Sequence, residues 1–209
     1  MVKPAMAKSG KTAEDAAPVE SVRDRILTTA RELFYREGAR AVGVDTVVAR
    51  SGVAKTSLYR WFPSKDALIA AVLEQEAADR WAGWDAVAQR AAPDARSQLR
   101  AQLAGIVKFT SNPRYRGCPF MNVSAEFPDE THPGRVVAKE LTEELRRRLR
   151  ALVDQLGVPN PGQLAEQLVL LVDGAFSVAQ VLGKDGPQHY LVAAADALID
   201  GQLNAANSK

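Results

Sequence analysis

Apolar residues recur along this chain at intervals of three and four from about residue 21 onward, and no stretch sustains the alternation of a half-buried strand. Over residues 21–37, Ile26, Ala30, Leu33 and Phe34 share one helical face, and Gly38 stands where a helix C-terminus favours glycine. A shorter helix is predicted over 44–51, with Val44, Val47 and Val48 inward and Asp45 near its positive end. Residues 52–68 then compress a turn at Gly52, an apolar plug at Val53, a short helix, and a restart at Ser64 behind Pro63. The pattern continues as a long helix over 64–90 and another over 93–110, the latter through Leu99, Leu103, Ile106 and Val107. After a break at 112–117, a short segment over 119–127 and a turn over 128–133 lead to a helix over 134–156, closed by Gly157 and Pro159. The chain is therefore predicted to be all-α.

The last two helices are more apolar than a single buried stripe requires. Thirteen of the nineteen residues over 164–182 are apolar or Ala, so this helix needs cover on two sides. Asp173, Gly174, Gln180 and Gly183 argue against a membrane span. Residues 189–203 repeat the tendency through Leu191, Ala194, Ala195, Leu198 and Ile199.

The compressed segment carries the chemistry. Leu58 and Phe62, four apart, turn one side of the short helix toward a core. Lys55, Thr56, Tyr59 and Arg60 remain on the other side, as donors suited to phosphate oxygens and to the acceptor edge of guanine. Lys65 falls in the first turn of the next helix, beside amides with no partner of their own. A helix pressed into the major groove and anchored at both ends needs this combination. Charge agrees: residues 1–70 hold 12 Lys and Arg against 8 Asp and Glu, while residues 71–209 hold 15 against 17, so a net +2 conceals +4 and −2. One cysteine excludes an intramolecular disulfide, and residues 1–20 lack the apolar run of an export signal, so a cytoplasmic protein is expected. That segment reads as a disordered, solvated tail; a basic arm through Lys3, Lys8 and Lys11 is the alternative.

The order Arg25-Ile26-Leu27, Ala30, Leu33-Phe34, Gly38, Val44-Asp45, Val48-Ala49, Gly52-Val53, Leu58-Tyr59, Phe62, Lys65-Asp66 and Leu68 resembles the tetracycline-repressor-like (TetR) family of bacterial transcription regulators. The resemblance covers roughly residues 21–70. It implies an N-terminal three-helix helix-turn-helix DNA-binding domain over 21–70 and a C-terminal helical bundle over 71–209 for ligand binding and dimerisation. By the same resemblance Tyr59, Trp61 and Lys65 touch phosphates, while Lys55, Thr56 and Arg60 face the groove and Ser57 completes the DNA-binding set. Gly43 and Ala54 stand where the family often has hydroxyl residues, so Gly43, which can still cap, is expected to lack a phosphate contact, and the third helix is expected to start with a weaker cap at Ala54. The resemblance further implies a homodimer through the last two helices and a palindromic double-stranded DNA operator with half-sites about 34 Å apart. Repression relieved by a small-molecule effector completes the expectation. The alternative is a helical scaffold or ligand-binding protein whose helix-turn-helix is structural or contacts protein.

Candidate effector-pocket residues are the aromatic and polar groups of the middle region: Trp81, Trp84, Phe109, Cys118, Phe120, Met121, Asn122, Glu126, Phe176 and Gln180. The same set also describes an ordinary core. Catalysis is not expected, because Cys118 has no His or Asp in a diagnostic pattern, and neither a metal nor a cofactor is expected, because His132 and His189 stand apart without a ligand cluster. The run Arg146-Arg147-Arg148 with Arg150 is read as a solvated helix face paired with Glu140, Glu143 and Glu144 in preference to a nucleic-acid patch.

Overall fold

A computed structural model describes residues 21–207, and these form nine α-helices joined by short turns. The expectations for residues 1–20 lie outside the described residues. Helix α1 (Val22–Glu37) starts at Ser21, whose Oγ accepts from the Asp24 amide at 3.1 Å, and ends at Gly38. Helices α2 (Val44–Ser51) and α3 (Lys55–Trp61) are joined through Gly52, at φ 65° and ψ 24°, a left-handed conformation that a side chain would strain. Val53 plugs the angle between them and is buried. The three helices close on Ile26, Val47 and Leu58, all at 0% exposure.

Helix α4 (Lys65–Arg90) is capped by Ser64, whose Oγ accepts from the Ala67 amide at 3.0 Å. Its first turns supply Leu68, Ile69, Val72 and Leu73 to the same core, and its later turns run along α7 (Pro133–Val153). One helix therefore crosses the expected 70/71 boundary without interruption, and the buried residues on either side form a continuous core. Between them come α5 (Ala95–Thr110) and α6 (Pro119–Glu126). Helix α5 begins later than its apolar spacing suggests because Asp94 caps it, accepting from the Ser97 amide at 2.8 Å. The start of α7 comes so close to α4 and α6 that a β-carbon on Gly134 would lie 3.0 Å from both Ile69 and Val123.

Helices α8 (Pro161–Leu182) and α9 (Leu191–Asn207) complete the chain. They are linked by two 3-10 turns, Gly183–Asp185 and Pro187–Tyr190, in a stretch whose second turn the periodicity merges with the final helix. Helix α8 is long and apolar enough to cross a membrane by length and composition. In the fold, Leu164, Leu168, Val172, Phe176 and Ala179 instead pack inward, toward α5, α7 and α9. Its outer side retains Leu170, Val181 and Leu182 at 73%, 79% and 58% exposure.

Candidate nucleic-acid interface

The short third helix has two unlike sides. Leu58 and Phe62 are buried, and Arg23 lies 5.8 Å from the Phe62 ring centroid on the outer edge. Lys55, Thr56, Tyr59, Arg60 and Trp61 are exposed, with Ser57 half-buried beside them. Tyr59 and Trp61 show 43% and 47% of their surface, a large exposure for aromatic rings on a helix whose back is closed. Neither Gly43 before α2 nor Ala54 before α3 supplies a side-chain cap, as their lack of a hydroxyl requires.

Two of the cations are engaged within the protein. Lys55 Nζ lies 2.7 Å from Asp45 Oδ1 at the first turn of α2, and this hydrogen bond raises the lysine above its ordinary pKa. Such an exposed pair is weak, so a phosphate can compete for the ammonium. Lys65 Nζ donates to the Arg40 carbonyl at 2.8 Å, and its partial burial lowers its pKa. An ammonium has three donors, which leaves two for an outside partner.

The Arg40 carbonyl belongs to a longer connection. The Arg40 amide donates to Glu126 Oε2 at 2.5 Å and its guanidinium to the Glu126 carbonyl at 3.2 Å, so the C-terminal end of α6 holds the turn between α1 and α2. Before α6 begins, the Tyr35 hydroxyl accepts from the Arg116 amide at 2.7 Å and donates to the Gly117 carbonyl at 3.3 Å. Burial pushes the Tyr35 phenol up, which keeps it a donor. Helix α6 is thus tied to the helix-turn-helix at both ends. His132 lies beside these ties: stacked on Phe127 with ring centroids 4.1 Å apart, it accepts the Gly134 amide on Nδ1, while its buried Nε2, 3.4 Å from Asp66, makes no hydrogen bond. Neither Arg40 nor Tyr35 is singled out by sequence, because neither lies on a periodic stripe whose break would flag it.

Behind α6 lies a cleft of about 1010 Å³ walled by α4, α6, α7 and α8. Of the candidate pocket residues, Cys118, Phe120, Met121 and Phe176 line it. The others are placed elsewhere. Trp81 and Trp84 lie beneath Arg148, whose guanidinium is 4.6 and 5.9 Å from their ring centroids, in the seam between α4 and α7. Phe109 packs edge-on against Tyr115 and Phe176 and is 46% exposed. Gln180 donates to Asn122 Oδ1 at 3.2 Å, and its amide sits where a Gly117 β-carbon would be. Asn122 and Glu126 line a smaller cleft between α1, α4 and α6. Arg80 and Asp173, not proposed from sequence, are on the wall of the large cleft. Each is a single charge on a helix of mixed composition, which carries no signal until α4 and α8 are brought together.

The arginine run is an ion-paired face, as expected, and of the three expected partners Glu144 is engaged by it while Glu140 and Glu143 are not. Arg146 pairs with Glu166 at 2.5 Å and Arg150 with Asp154 at 2.6 Å. Arg147 and Arg148 share Glu144, and Arg148 also reaches Asp85 at 2.6 Å. Glu140 is not among these partners, and Glu143 pairs with Lys139, because the neighbouring helices offer carboxylates on the side the arginines face. Among the described residues, no three His, Cys, Asp or Glu side chains gather into a group that could hold a metal.

Comparison with known proteins agrees with this geometry. Residues 26–72 match the family of bacterial regulatory proteins of the tetR type, and residues 95–195 match the tetracyclin repressor-like C-terminal domain. A solved TetR-family transcriptional regulator from Streptomyces coelicolor superposes with a TM-score of 0.82 at 30% identity, over 87% of this chain and 95% of that one. The HTH-type transcriptional regulator YjdC of Escherichia coli is 24% identical over 157 residues, 74% of this chain and 81% of its own length. The HTH-type transcriptional activator FasR of Mycolicibacterium smegmatis is 35% identical over 92 residues, 44% of this chain and 42% of that protein.

Proposed function

The chain belongs to the TetR family of bacterial transcription regulators, with a DNA-binding helix-turn-helix, and we propose that it acts as a cytoplasmic homodimeric repressor that a small-molecule effector releases from a palindromic operator. The observation that carries the reading is the outer face of α3, where Tyr59 and Trp61 stand exposed among Lys55, Thr56 and Arg60 above a fully buried Leu58. A scaffold protein gains nothing from two exposed aromatic rings and two cations on one short helix. A duplex offers the phosphates and base edges that such a face suits.

Dimerisation is supported by the outer side of α8. Leu170 and Val181, on one face with Gly174 and Ser177 between them, are mostly exposed in the single chain, as is Tyr190 in the turn that follows. A second copy burying this face by twofold symmetry sets two recognition helices about one helical turn of DNA apart. Release follows from the ties of α6: one end of it carries Phe120 and Met121 at the cleft, and the other holds Arg40 and, through it, Lys65. A ligand that favours one position of α6 thereby biases the position of the helix-turn-helix.

The test is selection of bound fragments from random DNA together with the mass of the free protein. The expected result is an inverted repeat with half-sites about 10 bp apart and a dimer mass, lost in Val181→Glu. A direct single site bound by a monomer would refute the proposal. Similarity to FasR, a transcriptional activator, favours activation as the second reading, and an operator upstream of the promoter instead of over it would select that reading.

A further inference from the structure

The effector cleft contains two half-buried charges of opposite sign that the protein leaves unpaired. Arg80 on α4 extends its guanidinium over the rings of Phe120 and Phe176, 5.0 and 5.4 Å from their centroids, and donates a weak hydrogen bond to Cys118 Sγ at 3.9 Å. Asp173 lies one helical turn before Phe176 on α8. Among the described residues, neither side chain forms an ion pair with the other or with any third group. By contrast, the arginines of the neighbouring α7 face, Arg146, Arg147, Arg148 and Arg150, all have a carboxylate partner. Burial holds Asp173 above its ordinary pKa, opposed by the charge of Arg80, so the carboxylate is poorly solvated where it stands. An unpaired charge in a partly desolvated wall is costly unless something else supplies its partner.

The remaining charged groups of the cleft do not supply it. Arg135 is engaged with the Ser124 and Phe127 carbonyls at 3.1 and 3.4 Å. Lys139, Glu130, Glu140 and Glu143 sit at the mouth and are exposed to solvent, where salt screens them. Deeper surfaces are apolar, including Phe120, Leu141, Leu145 and Phe176.

We propose that the cleft binds a small amphoteric molecule with an apolar body, its carboxylate or similar anion on Arg80 and its ammonium or hydroxyl donor on Asp173. Amino acids and hydroxy acids with apolar side chains are the class with this chemistry. The volume of about 1010 Å³ is ample for a molecule of this class. Arginine matches a carboxylate in a planar fork, and such charge-assisted pairs gain strength away from water. Because Arg80 stacks on Phe120 of α6, a ligand engaging the guanidinium acts on the helix tied to the DNA-binding unit. The inference rests on the effector reading above and names its ligand class.

The test uses the full chain and two matched series: phenylalanine, phenylalaninamide and 3-phenylpropionate; leucine, leucinamide and 4-methylpentanoate. Calorimetric titration at millimolar ligand detects Kd values of about 1 mM. In at least one series the compound bearing both groups is expected to bind on the order of tenfold or more tightly than either singly charged analogue. Arg80→Gln should erase discrimination against the amide, and Asp173→Asn discrimination against the plain acid. A flat ranking, no binding in either series, or a ranking unchanged in both variants overturns the inference; the wild-type ranking decides even if a variant does not fold. A ranked panel that leaves operator binding intact upholds the ligand class and sinks the regulatory reading. Operator release by a compound whose affinity ignores Arg80 and Asp173 does the reverse.

Discussion

Replacing Lys65 with Met removes one ammonium and keeps most of the stem. In the free protein that ammonium donates to the Arg40 carbonyl at 2.8 Å, a partly exposed bond whose loss costs about 1 kcal/mol. On DNA it has two donors left for a phosphate. A dimer carries the residue twice, so the variant neutralises two fewer phosphates, and the slope of log K against log salt becomes shallower by about 1.8. Two assays on the same protein separate these effects: urea unfolding without DNA, and operator titrations across a range of salt. Both should change, with the loss of DNA affinity similar for matched and mismatched operators. Lys65→Arg, which retains the charge, should restore most of the slope. A fall in stability with an unchanged slope would refute the phosphate contact and leave Lys65 as a brace for the turn between α1 and α2.

Three further outcomes are expected. Leu58→Ala, at 0% exposure behind the recognition face, should cost about 2–5 kcal/mol in urea unfolding, and a cost below about 1 kcal/mol would show that α3 does not anchor through this residue. Glu126→Ala removes the acceptor of the Arg40 amide, so hydrogen exchange at that amide should quicken on the order of tenfold; an unchanged rate would mean the turn is held elsewhere. Asp173→Asn should stabilise the protein near neutral pH. Because burial raises this carboxyl above its ordinary 3.8, the folded state holds the proton more tightly, and wild-type stability from this group is complete below 3.8 and lost as pH rises through the folded value. The advantage of the variant should therefore grow with pH across that window, and a pH-independent difference would refute the assignment.

The helices and the two-sided character of α3 were legible because they depend on local rules. Periodicity marks Ile26, Ala30, Leu33 and Phe34 as one buried stripe, and Gly52 at φ 65° with Leu58 and Phe62 buried is what the spacing demands. Where a local rule has two solutions the boundary moved, as at Asp94, whose cap overrides the apolar run, and at Pro187–Tyr190, where a 3-10 turn replaces the first residues expected of the last helix. Which side chains line the large cleft was legible only in part. Trp81 and Trp84 resemble cavity residues by type, yet Arg148, 67 and 64 positions away in the chain, stacks on both.

By itself the chain determined its all-helical class, the two-sided character of α3 and the surplus apolarity of α8, since each is written in residue type and spacing along a single helix. Only the tertiary structure decided what faces what. It set Glu126 against Arg40 instead of in the large cleft behind α6, gave Lys65 an internal partner, and left Arg80 and Asp173 without an ion pair in that cleft. The reason is that a helix repeats every 3.6 residues and so declares its own faces, whereas the pairing of faces from helices far apart in sequence depends on how all of them pack at once.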